Sequence, residues 1–416
     1  MTTPLSLLLI DPGPERKKAL LEEFSRLPVE LYVIAATSDR WGETLMPPGR
    51  ILYCDVTDAQ RVLEASRLFE VQFDGAGTYF EPSVLSAAYT CEKLGLRGPS
   101  LKAVESSSIS KTKMRQTLLT HKIATPRFSS FTNLDDLPAR AEQIGYPCVL
   151  KPASGADSQS VRKIENRQDA HALVQQNADL MRFREGTTWI NHDRHWIVEE
   201  YLEGPLLAVD GYVSDHKITY VGSAEMELGP EPYFNLEVNW IPPRLPDKII
   251  ASARQEAAQI INAIGLNNSS FHAEFRITAA GPRLVEIAAR LAGGVMPQGY
   301  KQAHGFNVAR TLADLWLGRP LGMRTQPSRT RHVLQKGVFP REPGILTEFC
   351  CAQALRDRPE VFEFSQIAQI GEPITLYPEA SIPIYFYGLV ADSHEKLVAA
   401  SRDLEASISW TTAQEA

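Results

Sequence analysis

Two alternating segments near the middle of the chain constrain its fold more than any other feature. Phe271-His272-Ala273-Glu274-Phe275-Arg276-Ile277 and Leu284-Val285-Glu286-Ile287-Ala288 alternate apolar with polar residues, the period of a strand with one buried face. Gly281-Pro282 between them is a turn signal. A simple hairpin centred on Ala280 sets Glu274 directly opposite Glu286, since each lies six residues from that centre. Opposed like charges destabilise a sheet, so the pairing calls for a cation between the carboxylates. A hard divalent ion such as Mg²⁺ suits them, because it takes carboxylate oxygens and keeps positions for water and phosphate. A one-residue bulge would shift the register and separate the pair, leaving two ordinary surface glutamates. Arg290, four residues beyond Glu286, shares its parity and points to the same side if the strand persists. A guanidinium there would stabilise charge that develops in phosphoryl or acyl transfer.

The 416 residues suffice for two or three domains, and a hydrophobic fraction of 44% supports ordinary cores. Acidic and basic residues are interspersed around a net charge of -7, without the Lys/Arg cluster that nucleic acid as main ligand would need. Apolar runs such as Leu7 to Ile10 are too short to span a bilayer. Leu5 to Ile10 also lacks a basic leader and a cleavage site, so a cytoplasmic chain without membrane partners is expected. The five cysteines include no C-x-x-C pair and adjacent Cys350-Cys351, which favours buried apolar roles over disulfides or zinc.

The first hundred residues alternate strand and helix. Strands are expected at Leu5–Ile10, Glu30–Ala35, Ile51–Cys54 and around Phe73-Asp74-Gly75, with helices from Glu15 to Leu27 and from Pro82 to Leu94. That alternation implies a parallel sheet. The turn Asp11-Pro12-Gly13-Pro14 has one glycine, which argues against a G-x-G-x-x-G dinucleotide site. Pro99 and Ser106-Ser107-Ser108 mark a boundary. Beyond it the patterns predict a helix at Lys111–His121, strands at Cys148–Lys151 and Trp196–Leu202, and a helix at Lys248–Ile264 packed on the hairpin's sheet. The last ninety residues hold β-type runs at Ile374–Tyr377 and Ile384–Tyr387 and a helix at Ser393–Leu404.

Lys151 ends a strand and leads into Pro152-Ala153-Ser154-Gly155-Ala156-Asp157-Ser158-Gln159-Ser160, where small residues let backbone N–H groups approach phosphate. The lysine precedes the loop and no G-x-x-x-x-G-K-[ST] occurs, so this is not a P-loop; a plain polar turn has the same composition. Lys111 at a helix start reads equally as a phosphate ligand or a solvated lysine. Val198-Glu199-Glu200-Tyr201-Leu202 offers strand-end backbone groups that imitate a base pair and an apolar wall at Leu202, or is simply an edge strand turning at Gly204-Pro205.

In this order, the pieces closely resemble the ATP-grasp superfamily over roughly residues 5 to 320. The resemblance implies α/β and α+β architecture: a Rossmann-like N-terminal domain (1–104), an ATP-grasp domain of two α+β lobes (105–320, lobe A about 125–200, lobe B about 201–320) and a small β-rich C-terminal α+β domain (321–416). It assigns ATP to Lys111, Lys151, Ser154, Gly155, Ser158, Gln159, Ser160, Glu199, Glu200, Tyr201 and Leu202. Mg²⁺, or Mn²⁺ in its place, goes to Glu274 and Glu286, and the acyl phosphate to Arg290. The chain departs from the pattern at Ala288, where many relatives have Asn, at Ser160, where they often have Gly, and at Ser110, where an Asp often precedes the lysine. Leu206 and Leu207 stand where a polar ribose contact is frequent, so no ribose ligand follows from the sequence.

The superfamily activates a carboxylate as an acyl phosphate and transfers the acyl group to a nucleophile. Glu286-Ile287-Ala288-Ala289-Arg290-Leu291-Ala292-Gly293-Gly294 looks like the L-amino acid ligases that make dipeptides, and the stretch from Gly344 to Val390 resembles their C-terminal domain. Asn-Thr-x-Pro-Gly, usual in D-alanine–D-alanine ligases, and the Gln-Val-Glu-His of biotin carboxylases are absent. Arg290, Gly293, Gly294 and Asn239 are the expected substrate residues, with the glycines admitting a bulkier acyl donor. Asn235 and Trp240 lie in the same candidate segment, where core packing explains Tyr233 and Phe234 equally well. Partners are then small amino acid substrates, and many relatives are homodimers. A carboxylase-like or purine-pathway ATP-grasp enzyme, or a non-catalytic nucleotide-binding protein, are the other readings of the same residues.

Overall fold

The computed structural model describes residues 4–38, 40–155, 158, 160–176, 195–229, 231, 234–321, 331–374 and 383–413. Within them the chain forms four sheets. The first contains β1 (Ser6–Ile10), β2 (Glu30–Ala36), β3 (Ile51–Cys54) and β4 (Gly75–Gly77) in the order β3-β2-β1-β4, with every pairing parallel. Leu7, Leu8, Leu9 and Ile10 are wholly buried because helices cover both faces, as the unbroken apolar run requires. The helix expected from Glu15 starts as a short 3-10 turn, Glu15–Lys17, and is α-helical over Lys18–Ser25.

The second sheet joins β5 (Phe128–Phe131), β6 (Cys148–Pro152), β7 (Arg162–Ile164) and β8 (Trp196–Glu200) in the order β5-β8-β6-β7. β8 stops at Glu200, two residues before the expected end, and Tyr201 and Leu202 lie beyond it.

The third and largest sheet carries the glutamate hairpin. β9 (Leu206–Ser214), β10 (Lys217–Leu228), β11 (Leu236–Ile241), β12 (Ser269–Thr278) and β13 (Gly281–Ala288) continue into β14 (His332–Val338), β16 (Val361–Gln366) and β18 (Tyr385–Ala391). The order is β13-β12-β9-β10-β11-β14-β18-β16, so strands from both sides of residue 320 share one hydrogen-bonded layer. β15 (Gly344–Cys351), β17 (Pro373–Ile374) and β19 (Ile408–Ala413) form a separate three-stranded sheet. Of the run expected at Ile374–Tyr377, Thr375, Leu376 and Tyr377 lie outside the described residues.

The two faces of the large sheet differ. On one, Leu207, Val209, Phe271, Ala273 and Phe275 pack on Ala253, Ala257, Ile260, Ile261 and Ile264 of the helix Asp247–Ile264, the amphipathic packing that its spacing predicts. On the other, Leu206, Ala208, Ala224 and Met226 pack on Met296 and Tyr300 of the helix Met296–His304. Asp210, His272 and Glu274 alternate onto this second face, so that face holds the chemistry.

A final contact sets the N-terminal sheet over the hairpin's end. Leu7, Leu9 and Val33 share an apolar cluster with Leu291, Leu312 and Trp316. A Cβ on Gly77 would fall 2.1 Å from the Trp316 ring, so only glycine lets β4 lie this close.

Candidate active site

Glu274 and Glu286 are direct cross-strand partners. The route to that pairing differs from a simple hairpin about Ala280. Thr278 pairs with Gly281, which leaves a two-residue tip at Ala279-Ala280, and the register then shifts by one between Glu274 and Phe275 because Val285 is an extra residue in β13. The bulge that would separate the carboxylates in a symmetrical hairpin brings them together in this one. Pro282 is tolerated because β13 is the edge strand.

The cations come from elsewhere. Lys111, the first residue of the helix Lys111–Thr120, places Nζ 3.5 Å from Glu286 Oε2 and 2.9 Å from the Gly155 carbonyl it donates to. Its own N–H donates to the Ala153 carbonyl, so the helix start is fastened to the loop after β6. Ser110 caps that helix by accepting from the Lys113 N–H, a duty an Asp would fill equally well. Burial by itself would raise the Glu286 carboxyl, but Lys111, Lys151, His272 and Arg290 together hold it below its ordinary range.

Lys151 and Glu199 form a second, enclosed cluster. Lys151 Nζ lies 2.6 Å from Glu199 Oε2. Arg115, wholly buried, grips the same carboxylate with Nε at 2.8 Å and Nη2 at 2.9 Å. Its Nη1 and Nη2 also donate, at 2.8 Å each, to the carbonyls of Leu284 and Val285. One guanidinium thus ties the sheet of β8 to the bulge that sets the hairpin's register. Desolvation raises the Glu199 carboxyl, yet Arg115 and Lys151 bring it down to about 2. Desolvation lowers the Lys151 amine, more than its pairing with Glu199 restores.

Behind Glu274 stands a polar chain that the sequence reading did not include. His272 Nε2 is 3.1 Å from Glu274 Oε1 and His272 Nδ1 is 3.1 Å from Asp210 Oδ1. Asp210, fully buried, also accepts from Tyr300 Oη at 2.6 Å and from the Ala292 N–H at 2.9 Å. Burial pushes the imidazole down, but the two carboxylates raise it to about 10, so it is a cation at neutral pH. His272 faces Ala288 across the hairpin, placing a charged group opposite the position where an Asn was expected.

Arg290 reaches the site without an extended strand, because β13 ends at Ala288. Its Nη1 donates to the Leu291 carbonyl at 2.8 Å and its Nε contacts the Glu81 carboxylate from the N-terminal sheet. A Cβ on Gly293 would come 4.0 Å from Arg290 Nη1, and one on Gly294 would meet nothing within 4 Å, so the space beyond the guanidinium is open.

The remaining expected residues sort by position. In the loop after β6, Ser158 and Ser160 adopt left-handed φ of 54° and 57°, which accounts for the glycine expected at Ser160; Gln159 lies outside the described residues, as does Tyr233. The Glu199 side chain is committed to Arg115 and Lys151, and the Glu200 side chain turns to Arg127 Nε at 3.3 Å. Neither carboxylate faces a base. The N–H groups of Glu200 and Tyr201 donate to the Arg127 and Pro147 carbonyls, which narrows any backbone recognition here to Leu202 and the carbonyls. Tyr201, Leu206, Met226, Phe234, Glu231 and Arg276 line a cavity of about 240 Å³ on the hairpin's polar face. Asn239 is buried on that face with Oδ1 unpartnered among the described residues, but sits three strands from β12, about 14 Å at ordinary strand spacing.

Arg115, His272, Asp210, Tyr300 and Glu81 therefore belong to the site although sequence reading passed over them. Two left a local signal. Arg115 lies four residues after Lys111 on one helix face, and His272 two before Glu274 on one strand face. The other three depend on contacts across elements.

Two carboxylates on one face among several cations fit a hard divalent ion bound beside phosphates. No cluster of three or more His, Cys, Asp or Glu suited to a metal occurs among the described residues. No described helix is long and apolar enough to cross a membrane.

The ATP-grasp domain pattern matches residues 144–298. The chain is similar to the uncharacterised protein y4rH of Sinorhizobium fredii, with 26% identity over 409 residues, 98% of this chain and 83% of that one. It is similar to alanine–anticapsin ligase of Bacillus subtilis, with 27% identity over 62% of this chain and 56% of the relative; the chain thus spans little more than half of that ligase's length. The crystal structure of L-amino acid ligase from Bacillus licheniformis superposes with a TM-score of 0.80 over all of both chains at 20% identity.

Proposed function

Because the chain carries an ATP-grasp domain, we propose that it is an ADP-forming ligase. It activates the carboxylate of one amino acid as an acyl phosphate and joins it to the amine of a second, releasing ADP and phosphate. The observation that carries this reading is the Glu274–Glu286 pair with Lys111 spanning Glu286 and Gly155. A Mg²⁺ ion, or Mn²⁺, held by Glu274 and Glu286 would neutralise terminal phosphate charge. Lys111 and Lys151 supply positive charge beside the same oxygens, and Ser154, Gly155, Ser158 and Ser160 cover them. The adenine lies against the backbone after Glu199 and Glu200 and the apolar walls of Tyr201 and Leu202. Arg290 stabilises the oxyanion formed as the amine attacks the acyl carbon. Gly293 and Gly294 leave room for the acyl donor's side chain, and Asn239 is the remaining residue assigned to substrate.

The same reading divides the chain into residues 1–104, 105–320 and 321–416, and admits a homodimer. A cytoplasmic setting fits an ATP-consuming enzyme with free thiols. The test is an ADP-release screen over amino acid pairs with mass detection of the product. Release that needs two amino acids and yields their dipeptide supports the ligase; release that depends on bicarbonate selects a carboxylase; ATP binding without turnover for any pair selects a binding protein.

A further inference from the structure

Glu81 has no role in the chemistry described so far. It follows β4 at the carboxyl end of the N-terminal sheet. The chain runs outward from β1 to β3 and returns on the other side of β1 as β4, so Glu81 sits by the strand-order reversal, where open parallel sheets take ligands. The Gly77–Trp316 contact fixes this sheet end over the segment after β13. There the Glu81 carboxylate meets Arg290 Nε, with the two side chains only 12% and 11% exposed. The contact is an ion pair without hydrogen-bond alignment, since Glu81 Oε2 has no hydrogen-bond partner.

An enclosed ion pair is no more stabilising than well-packed apolar residues of the same volume, so stability does not explain a carboxylate here. The pairing also opposes the duty proposed for Arg290. A guanidinium already neutralised by a carboxylate attracts a developing oxyanion less strongly. When the site is working, Glu81 needs a different cation.

We infer that Glu81 takes the ammonium of the acyl-donor amino acid, exchanging Arg290 for it as the donor binds. This rests on the ligase reading and narrows the donor to acids with an amino group close to the carboxyl. The reach is suitable, because an α-ammonium lies two bonds from the carboxyl carbon that Arg290 serves. The donor is favoured over the acceptor on charge grounds. A carboxylate keeps its partner amine protonated, which suits an ammonium retained through the reaction and would disable a nucleophile. Donor binding would then also release Arg290 for the acyl oxygen.

The experiment compares ADP release by the full chain and its Glu81→Gln and Glu81→Asp variants, using each productive amino acid donor and the matching acid that lacks the amino group. Binding of a non-hydrolysable ATP analogue is measured alongside as a check on folding. The unaltered protein should prefer the amino acid by 10²-fold or more in kcat/KM, on the order seen when a buried polar group loses its partner. Glu81→Gln should collapse that preference at least tenfold, through KM of the donor more than kcat, with Glu81→Asp between the two. A preference unchanged in Glu81→Gln, or a loss confined to the acceptor's KM, overturns the inference while the ligase stands. Absence of turnover by the unaltered protein with every amino acid pair overturns the ligase reading and this inference with it.

Discussion

Glu199 and Glu286 each lie in or at the end of a β-strand, each within reach of a lysine, and they serve opposite ends. Glu199 has a side chain 4% exposed and receives Arg115 and Lys151 at hydrogen-bond distance. Glu286 keeps 34% of its side chain exposed, with Lys111 only at 3.5 Å and a second carboxylate opposite. One acid is saturated by the protein, the other left with capacity for something the protein does not supply. A glutamate's type and strand position therefore do not decide its role; how completely its neighbours satisfy it does.

The sharpest way to break that comparison is to neutralise the unsaturated acid. Glu286→Gln should cut ADP release by about 10³-fold or more, since the phosphates would lose one of the two carboxylates proposed to anchor their counter-ion. Its urea midpoint should fall modestly, because Lys111, Lys151, His272 and Arg290 favour the ionised carboxylate and would be left less compensated. An unchanged turnover would place the metal elsewhere. Arg290→Ala should lower kcat by about 10²- to 10³-fold, roughly 3 kcal/mol, with little change in ATP-analogue binding. A loss confined to nucleotide affinity would remove the oxyanion role.

The saturated acid should answer in stability. Arg115→Met leaves Glu199 with Lys151 alone and frees the Leu284 and Val285 carbonyls, so it should cost about 3 kcal/mol in urea unfolding. The pH dependence follows from the depressed Glu199 carboxyl. Its contribution is complete above its ordinary value near 4.5 and disappears as pH falls toward about 2, so the unaltered protein should lose stability across that window. In Arg115→Met the folded carboxyl is less depressed, so this acid loss should shrink and end at a higher pH, which chemical unfolding between pH 2 and 6 would reveal. Smallest of all, Ser160→Gly should relieve left-handed strain and change stability by about 1 kcal/mol or less in the favourable direction. A clear destabilisation would show that the hydroxyl, rather than the backbone, matters there.

Much of this was legible in the chain because it rests on local period. Strand alternation located the two glutamates, the succession of strands and helices gave the parallel sheet, and helical spacing gave the long helix Asp247–Ile264. Lys111, Lys151 and the loop after β6 were ambiguous one by one, and only their order carried the resemblance that singled them out. What stayed hidden depends on distance in sequence. Arg115 and Glu199 are 84 residues apart, and nothing local distinguishes a locked acid from an available one. Glu81 and Arg290 meet only because β4 lies against Trp316. The eight-stranded layer crossing residue 320 was likewise invisible, since edge pairing between remote strands leaves no periodic trace.

The extra residue in β13 has one more consequence. Tip length and Val285 act as a matched couple: adding one residue between Thr278 and Gly281 on the present frame need not disturb either acid, provided the flank is shortened by one at Val285. Length changes in homologous hairpins should therefore arrive in compensating pairs, and a lone insertion in the flank should send Glu286 to the opposite side of the layer, against the helix Asp247–Ile264.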